Sequence, residues 1–546
     1  MKRNSFVEGT VLASFSLIFI KILGAVYVIP FYSIVGELGG ALYSYAYTVY
    51  SLVINICTTG LPLAISKIVS EYNTLEMYEA KERTLKLGNK VVLILSITLF
   101  LLMFIFARQA AYIFIGNSTG GNSIEEIELV IRSISFCLLI VPLLSIKKGY
   151  LQGQKFISVS TNSQVIEQVV RIAIILIGSY LAINVYHLKV SYGVAIAVFG
   201  AFIAGLVAYL YLNIKIKNNN SIMNIPKNDK KDNVSDKTIM KKILSFSIPL
   251  IIVSIAMDLY NMIDLSFIIR GLLYLGYSAV EAETIGSVMA TWAPKICLIV
   301  NTVAVGLSIT LIPHMVSNLV KKDYKAINSQ FIKSLGIIIV VGLPMAAGIS
   351  LLSNELYTMF YGYSEYGAII LRILPFSILF TNLNFVVSMV LQSLNKFKAV
   401  YISTFAGLIT NAVLDIPIMI LFDKIGIYPY YGVIVATIIG TTISIIISFN
   451  VLKKDMNFEY KGLLKTLKKM ILPMIVMCTI VFIIEYLLKG VFNTRATSLI
   501  TSLACAFAGA CVFGLITYKN NLLYDVLGET YVNKILNKLR LKKSEK

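Results

Sequence analysis

Glu167 and Arg171 stand four residues apart inside a stretch rich in Val and Ile. On a helix that spacing puts both on one face, one turn apart, where a carboxylate and a guanidinium can pair. Lys21, Asp258, Asp264, Lys295 (beside Pro294), Asp415 and Glu485 also interrupt apolar runs, as does Asn411, four residues before Asp415. An ionisable group at mid-membrane costs about 2.5–3.5 kcal/mol and normally faces a partner or a water-filled path. The functional reading is therefore a wet path for a polar or anionic cargo. The Glu167/Arg171 pair also reads as mutually neutralising structure. Arg132, Arg270 and Arg372 lie near the ends of their runs, where snorkelling to the interface explains them equally well.

Asp264, Asn411 and Asp415 are hard oxygen donors. Thr437 could add a hydroxyl, and Val433, one turn earlier, a backbone carbonyl. An all-oxygen set suits a small hard cation such as Na⁺ better than a transition metal. No other cofactor is implied. His187 and His314 have no ligand-like neighbours, and the six cysteines fall in apolar stretches without a CxxC pair. A zinc site or a histidine-based triad is excluded on that basis.

These residues need helices to hold them. The chain has 546 residues, 57% of them hydrophobic and 14% charged, against about 45–50% and about 25% in an ordinary soluble domain. So few charges cannot coat a soluble surface, and so many apolar residues exclude disorder. The composition predicts an all-α polytopic membrane protein. Runs of about 20 apolar residues occur at 10–35, 41–66, 88–107, 129–146, 158–183, 191–213, 243–269, 287–312, 334–353, 368–393, 400–422, 430–451, 471–488 and 497–518. The first is read as a retained span rather than a signal peptide, because Lys21 interrupts it.

Fourteen spans place both termini on one side. With the N-terminus inside, only Arg108, Lys189, Arg270, Lys424, Lys489 and Arg495 fall in outward segments. The net charge of +20 thus follows membrane topology in a cell membrane, attracted by anionic inner-leaflet lipids, and not nucleic-acid binding.

The polar stretch 214–242 splits the chain into an N-lobe (1–213) and a C-lobe (243–452). Residues 453–518 add two further spans, and 519–546 read as an amphipathic tail on the inner leaflet. The lobes resemble each other. "GLPLAISKIVSEYNTLEMYEAKE" from Gly60 matches "GLSITLIPHMVSNLVKKDYKAIN" from Gly306 at an offset of 246, pairing Tyr78 with Tyr324. Arg132 and Leu151-Gln152 match Arg372 and Leu391-Gln392 at an offset of 240. Parallel repeats of this kind predict two pseudo-symmetric six-helix lobes around a central cavity.

The segment "GLPLAISKIVSEYN" (60–73), the "KGYLQGQKF" loop (148–156) and "SQVIEQVVRI" (163–172), with fourteen spans in a 6+6+2 plan, resemble the MurJ/SpoVB/YtgP branch. That branch belongs to the multidrug/oligosaccharidyl-lipid/polysaccharide (MOP) exporter superfamily. The resemblance implies a flippase moving an undecaprenyl-pyrophosphate-linked peptidoglycan precursor, lipid II, from the inner to the outer leaflet. It implies a cationic cavity for the pyrophosphate, a groove made with the last two spans for the lipid tail, contact with membrane lipids, and cell-wall synthesis machinery as partners.

By the same resemblance Lys21 stands where a functional Arg is usual. Two further family arginines fall near Tyr27 and Asn55, both departures, for which Arg171, Arg270 or Lys295 compensate. Asp264 matches a family Asp in span 7, and Asn411, Asp415, Val433 and Thr437 match a sodium site. The expected cavity set is thus Lys21, Tyr27, Asn55, Glu167, Arg171, Arg270 and Lys295. Another lipid-linked polysaccharide or spore-cortex precursor would satisfy the same charges. A drug/cation antiporter would share the twelve-span core. A membrane glycosyltransferase, the enzyme alternative, lacks the large outer loop it would need.

Overall fold

A computed structural model describes residues 16, 19, 20, 23, 24, 26–116, 120–154, 156–218, 234–301, 304, 311, 315, 318, 319, 322–456, 458–488 and 495–527. Among these there is no strand. Twelve helices are long and apolar enough to cross a membrane. They coincide with twelve of the fourteen runs read from the sequence; the other two, 10–35 and 287–312, are each interrupted by residues outside the described set. The apolar windows of Ile157–Val185 and Gly462–Leu488 are only 17% buried. Surfaces that apolar need lipid around them.

Two compact units emerge from the contacts, 1–290 and 291–546. The first holds α1 (Val28–Thr58), α2 (Gly60–Thr74), α3 (Tyr78–Ile105), α4 (Ala107–Ile115), α5 (Ile124–Ser135), α6 (Cys137–Gly153), α7 (Ile157–Tyr180), α8 (Val190–Lys217), α9 (Asp236–Tyr274) and α10 (Ala279–Ser287). The boundary differs from the one placed at the polar stretch 214–242, because α9 packs on α1 and α2. A Cβ on Gly60 would sit 2.6 Å from the Ser247 carbonyl oxygen, so only glycine allows this approach. Thr59 and Ser254 share a hydrogen bond of 3.3 Å. Nearer the polar stretch, Lys242 pairs with Glu71 at 2.6 Å and Arg83 with Asp236 at 3.2 Å.

Local chemistry explains the ends of these helices. Gly36, at φ +68°, breaks the helical path inside α1, a conformation that costs little only without a Cβ. Ser123 and Ser278 each form a capping box, with Glu126 and Glu281, that starts α5 and α10. Phe100, Phe104, Phe136, Phe199 and Phe202 make a chain of ring contacts joining α3, the α5–α6 corner and α8.

The second unit contains α11 (Ala293–Ile296), α12 (Tyr324–Leu351), α13 (Ser353–Tyr361), α14 (Glu365–Ser393), α15 (Phe397–Lys424), α16 (Tyr431–Met456), α17 (Lys461–Leu488), α18 (Arg495–Lys519) and α19 (Leu522–Leu527). The internal repeat is visible element by element. Helices α3 and α12 each have 28 residues and begin at the paired Tyr78 and Tyr324. Helices α4 and α13 each have 9, and both stop at a positive-φ glycine, Gly116 or Gly362.

The two last spans belong with this unit. Met477, Val481 and Cys505 from α17 and α18 pack on Ala347 and Leu352. Leu522 and Val526 of α19 pack with Ile339, Val340 and Met470. Asp525 is held by Lys469 at 2.6 Å and Lys465 at 3.6 Å, and these ammonium groups keep its carboxyl below the usual carboxylate range. The expected amphipathic tail thus begins docked on the helices; residues 528–546 lie outside the described set.

Helix α6 is seated on α2 by two glycines one turn apart. A Cβ on Gly149 would lie 2.4 Å from the Pro62 carbonyl oxygen, and one on Gly153 2.5 Å from that of Ser66. Small residues at this spacing let helix backbones touch in membranes. Gly149→Val should lower stability by about 1–3 kcal/mol, the usual cost of overpacking. Gly348→Ala, where a Cβ meets nothing within 4 Å, should be neutral. Thermal unfolding of the detergent-solubilised chain checks both; an unchanged midpoint for Gly149→Val would contradict the glycine seam.

Candidate binding cavity

A cavity of about 480 Å³ lies within the first unit, lined by Tyr50, Thr58, Ser145, Lys148, Gln152, Gln164 and Glu167 among others. Its charged wall comes from α6 and α7. Successive helical residues turn by about 100°, so Lys147 and Lys148 face different ways. Lys147 reaches Asn213 of α8 and lies 3.9 Å from the centre of the Tyr209 ring. Lys148 turns to α7 and pairs with Glu167 Oε2 at 2.7 Å. Arg171 takes the other oxygen, Oε1, at 2.5 Å. One carboxylate thus bridges two cations from two helices, leaving a formal charge of +1.

All three side chains are mostly buried, with 12–21% exposure. The Arg171 Nε is buried and has no hydrogen-bond partner among the described residues. Cations with spare donors beside amides and hydroxyls are suited to holding an anion.

Tyr27 joins this wall through aromatic contacts. Its hydroxyl meets that of Tyr43 at 3.0 Å. Tyr43 stacks on Tyr47 at 4.5 Å, and Tyr47 meets Tyr50 edge-on at 5.8 Å. Tyr27 is itself buried, so at a position where the resemblance implied a cation the protein builds a neutral, hydrogen-bonded wall.

The other expected cavity residues are not gathered here. Lys21 lies outside the described residues. Asn55 faces α9, donating from Nδ2 to Asp258 Oδ2 at 2.7 Å. Arg270 is exposed and donates to the Tyr112 carbonyl at 2.7 Å, and it does not line this cavity. Lys295 belongs to the second unit, over the Trp292 ring at 4.4 Å. Conversely, Lys148 was absent from the sequence-derived set. Its apolar run ends at 146, whereas α6 continues helically to Gly153. The Lys147-Lys148 pair was the available signal.

The second unit holds a different polar cluster. Asn411 Nδ2 donates to Asp415 Oδ1 at 3.1 Å and to Thr437 Oγ1 at 3.3 Å, and the Thr437 hydroxyl donates to the Val433 carbonyl at 3.0 Å. Asn411, Asp415 and Val433 are fully buried. The cluster forms where α15 and α16 touch: a Cβ on Gly440 would lie 2.6 Å from the Gly407 carbonyl oxygen. The Asn411 Oδ1 is buried and accepts no hydrogen bond among the described residues. A buried acceptor beside a buried carboxylate fits a small cation. Asp264 belongs to the first unit.

Comparison with known proteins gives these sites a context. The sequence model of the family described as "Polysaccharide biosynthesis protein" matches residues 6–279, and that described as "MatE" matches 249–416. The chain is 31% identical over 540 residues to the lipid II flippase MurJ of Bacillus subtilis (strain 168), covering 96% of this chain and 97% of that protein. Among solved structures, the fold is similar to lipid II flippase MurJ in an inward closed conformation (TM-score 0.64, 15% identity, 95% of this chain and 100% of that one). It is also similar to an inward-facing multidrug resistance MATE transporter of the MOP superfamily (TM-score 0.65, 16% identity, 80% and 94%).

The Asn55–Asp258 contact gives a test of the α1–α9 seam. A hydrogen bond to a charged acceptor contributes about 1.5–3 kcal/mol. Asn55→Ala should cost about that much in thermal or denaturant unfolding. Asp258→Ala made on top of it should add far less than it costs alone. Fully additive losses would show that the two side chains are not coupled.

Proposed function

This chain belongs to the MurJ branch of the MOP exporter superfamily, and from that premise we propose that it moves the diphosphate-linked peptidoglycan precursor lipid II from the inner to the outer leaflet. Family membership makes it a multi-pass membrane transporter of lipid-linked precursors rather than an enzyme. The finer reading, lipid II by alternating access, is supported above all by the cavity lined by Lys148 and Glu167, with Arg171 paired to the same carboxylate behind them. Lys148 and Arg171 would hold the diphosphate by charge-assisted hydrogen bonds. The polyprenyl tail would stay against apolar helix surface and membrane lipid, with the groove of α17 and α18 serving it.

The loop charges support both termini in the cytoplasm. In that orientation the inside-negative potential favours outward movement of the anionic headgroup by about 2.3 kcal/mol per charge per 100 mV. Enzymes that supply the precursor inside and polymerise it outside are the partners this reading requires.

A strain depleted of its essential lipid II flippase tests the proposal. The wild-type gene should restore growth and outer-leaflet lipid II. Lys148→Met and Arg171→Met should each lower outer-leaflet lipid II at least tenfold at equal membrane abundance. Full activity in both variants would overturn the cavity as the diphosphate site.

A coupling Na⁺ is the second element of the proposal. Asn411 Oδ1, Asp415, the Thr437 hydroxyl and the Val433 carbonyl would hold it. Bound there, it would supply a positive charge against the Asp415 carboxylate. Binding to the folded state alone stabilises by about 2.7 kcal/mol at a hundredfold excess over the dissociation constant. Replacing K⁺ by Na⁺ should therefore raise the melting temperature of the wild-type chain, and Asp415→Asn should abolish the rise. An equal rise in the variant would exclude this site.

A further inference from the structure

Glu167 is the one acidic group placed among the described cations of the cavity wall, and its position is unusual for an anion transporter. Its two oxygens are already committed to the two cations that the reading above assigns to the diphosphate. An arriving diphosphate would meet a carboxylate of its own sign in the place it needs. Resting on that reading, we propose that Glu167 is an exchangeable counter-anion. It neutralises Lys148 and Arg171 while no cargo is bound, yields them to the diphosphate, and takes them back on release.

The physical reason is the expense of bare cations in a low-dielectric wall. Without Glu167, the cargo-free cavity would hold two uncompensated positive charges, and the cargo-bound cavity would hold the diphosphate too tightly to release. A carrier must bind its cargo well enough to take it up and weakly enough to let it go. A tethered competitor does both, because the cations are paired at every stage.

The geometry fits the role. The bridge is built from separate oxygens to separate helices, so α6 and α7 share it. Lys148 and Glu167 both line the cavity, so an incoming anion meets the Lys148–Glu167 contact directly. Among the described residues, Cys137 of α6 and Tyr50 of α1 also lie in electrostatic range of Glu167, and Tyr47 in that of Arg171; none of them replaces Glu167 as a counter-anion in its ordinary neutral form.

The internal repeat argues that the bridge is not demanded by the fold. At the offset of 240, Glu167 corresponds to Gly407 and Arg171 to Asn411. Neither residue carries a charge, so α15 packs into its unit with no ion pair at those positions.

The test uses the full chain in lipid nanodiscs, with undecaprenyl pyrophosphate and inorganic pyrophosphate as separate probes. Glu167→Gln should bind undecaprenyl pyrophosphate at least tenfold more tightly than wild type and flip lipid II more slowly. A parallel gain with inorganic pyrophosphate would identify the bare diphosphate as the group that competes. A gain confined to the lipid form would identify the lipid-borne headgroup. Unchanged or weaker binding of both probes by Glu167→Gln overturns the proposal and leaves Glu167 a purely structural partner. Should that variant not fold, Glu167→Asp, whose shorter arm cannot span both cations, should tighten binding about threefold, and no change there overturns it equally. Lys148→Met and Arg171→Met serve as separate controls. If neither weakens binding, the cavity assignment itself fails, whatever Glu167 does.

Discussion

A charge held away from water must be paired, and that constraint organises the first unit. Lys148, Glu167 and Arg171 satisfy it among themselves, with one carboxylate shared between two cations. Breaking a buried pair commonly costs about 3–5 kcal/mol because the remaining charge is stranded. The three side chains therefore lock α6 to α7 as firmly as an apolar contact would. They do so beside a cavity to which α1 contributes Tyr50, so the same interaction that stabilises the helices sets the charge offered to a ligand.

The two halves of the chain show how one helical plan supports two kinds of ion chemistry. Helices α7 and α15 occupy matching places in the repeat, separated by 240 residues. In α7 the positions carry Glu167, Arg171 and Ile175; in α15 they carry Gly407, Asn411 and Asp415. Helix α16 comes close at this point, with Gly440 against the Gly407 carbonyl. That approach brings Thr437 within hydrogen-bond distance of Asn411. The first copy of the plan thus presents fixed cations to a cavity, while the second buries a cluster of oxygens between closely packed helices.

Much of this was legible in the sequence because it obeys local rules. Span positions follow from apolar length, the Glu167/Arg171 pair from its one-turn spacing, and the repeat from matches such as Tyr78 with Tyr324. The Asn411, Asp415, Val433 and Thr437 set was also readable, being two one-turn pairs on consecutive helices. Contacts between distant segments were not. Nothing near Asn55 announces that Asp258, 203 residues later, is its partner. The polar stretch at 214–242 marks a break in composition, but composition cannot say which surface the following helix will choose. Lys148 was passed over because hydropathy falls two residues before it, although the helix does not end there.

The glycine seam decides which parts of the cavity wall are free to move. Lys148 immediately precedes Gly149, whose backbone rests on the Pro62 carbonyl, and Gly153 repeats that contact one turn later. With two such seats immediately after Lys148, its backbone cannot shift along α6 without separating α6 from α2. Helix α7 has no such anchor on that side; it is held mainly by α8, through Gly178 and Gly200, where a Cβ would meet Ile196 and Ile174. Those neighbours are side chains, which can yield, whereas Pro62 and Ser66 present backbone, which cannot. Any rearrangement that opens the Lys148–Glu167 contact therefore meets less backbone resistance on the α7 side than on the α6 side.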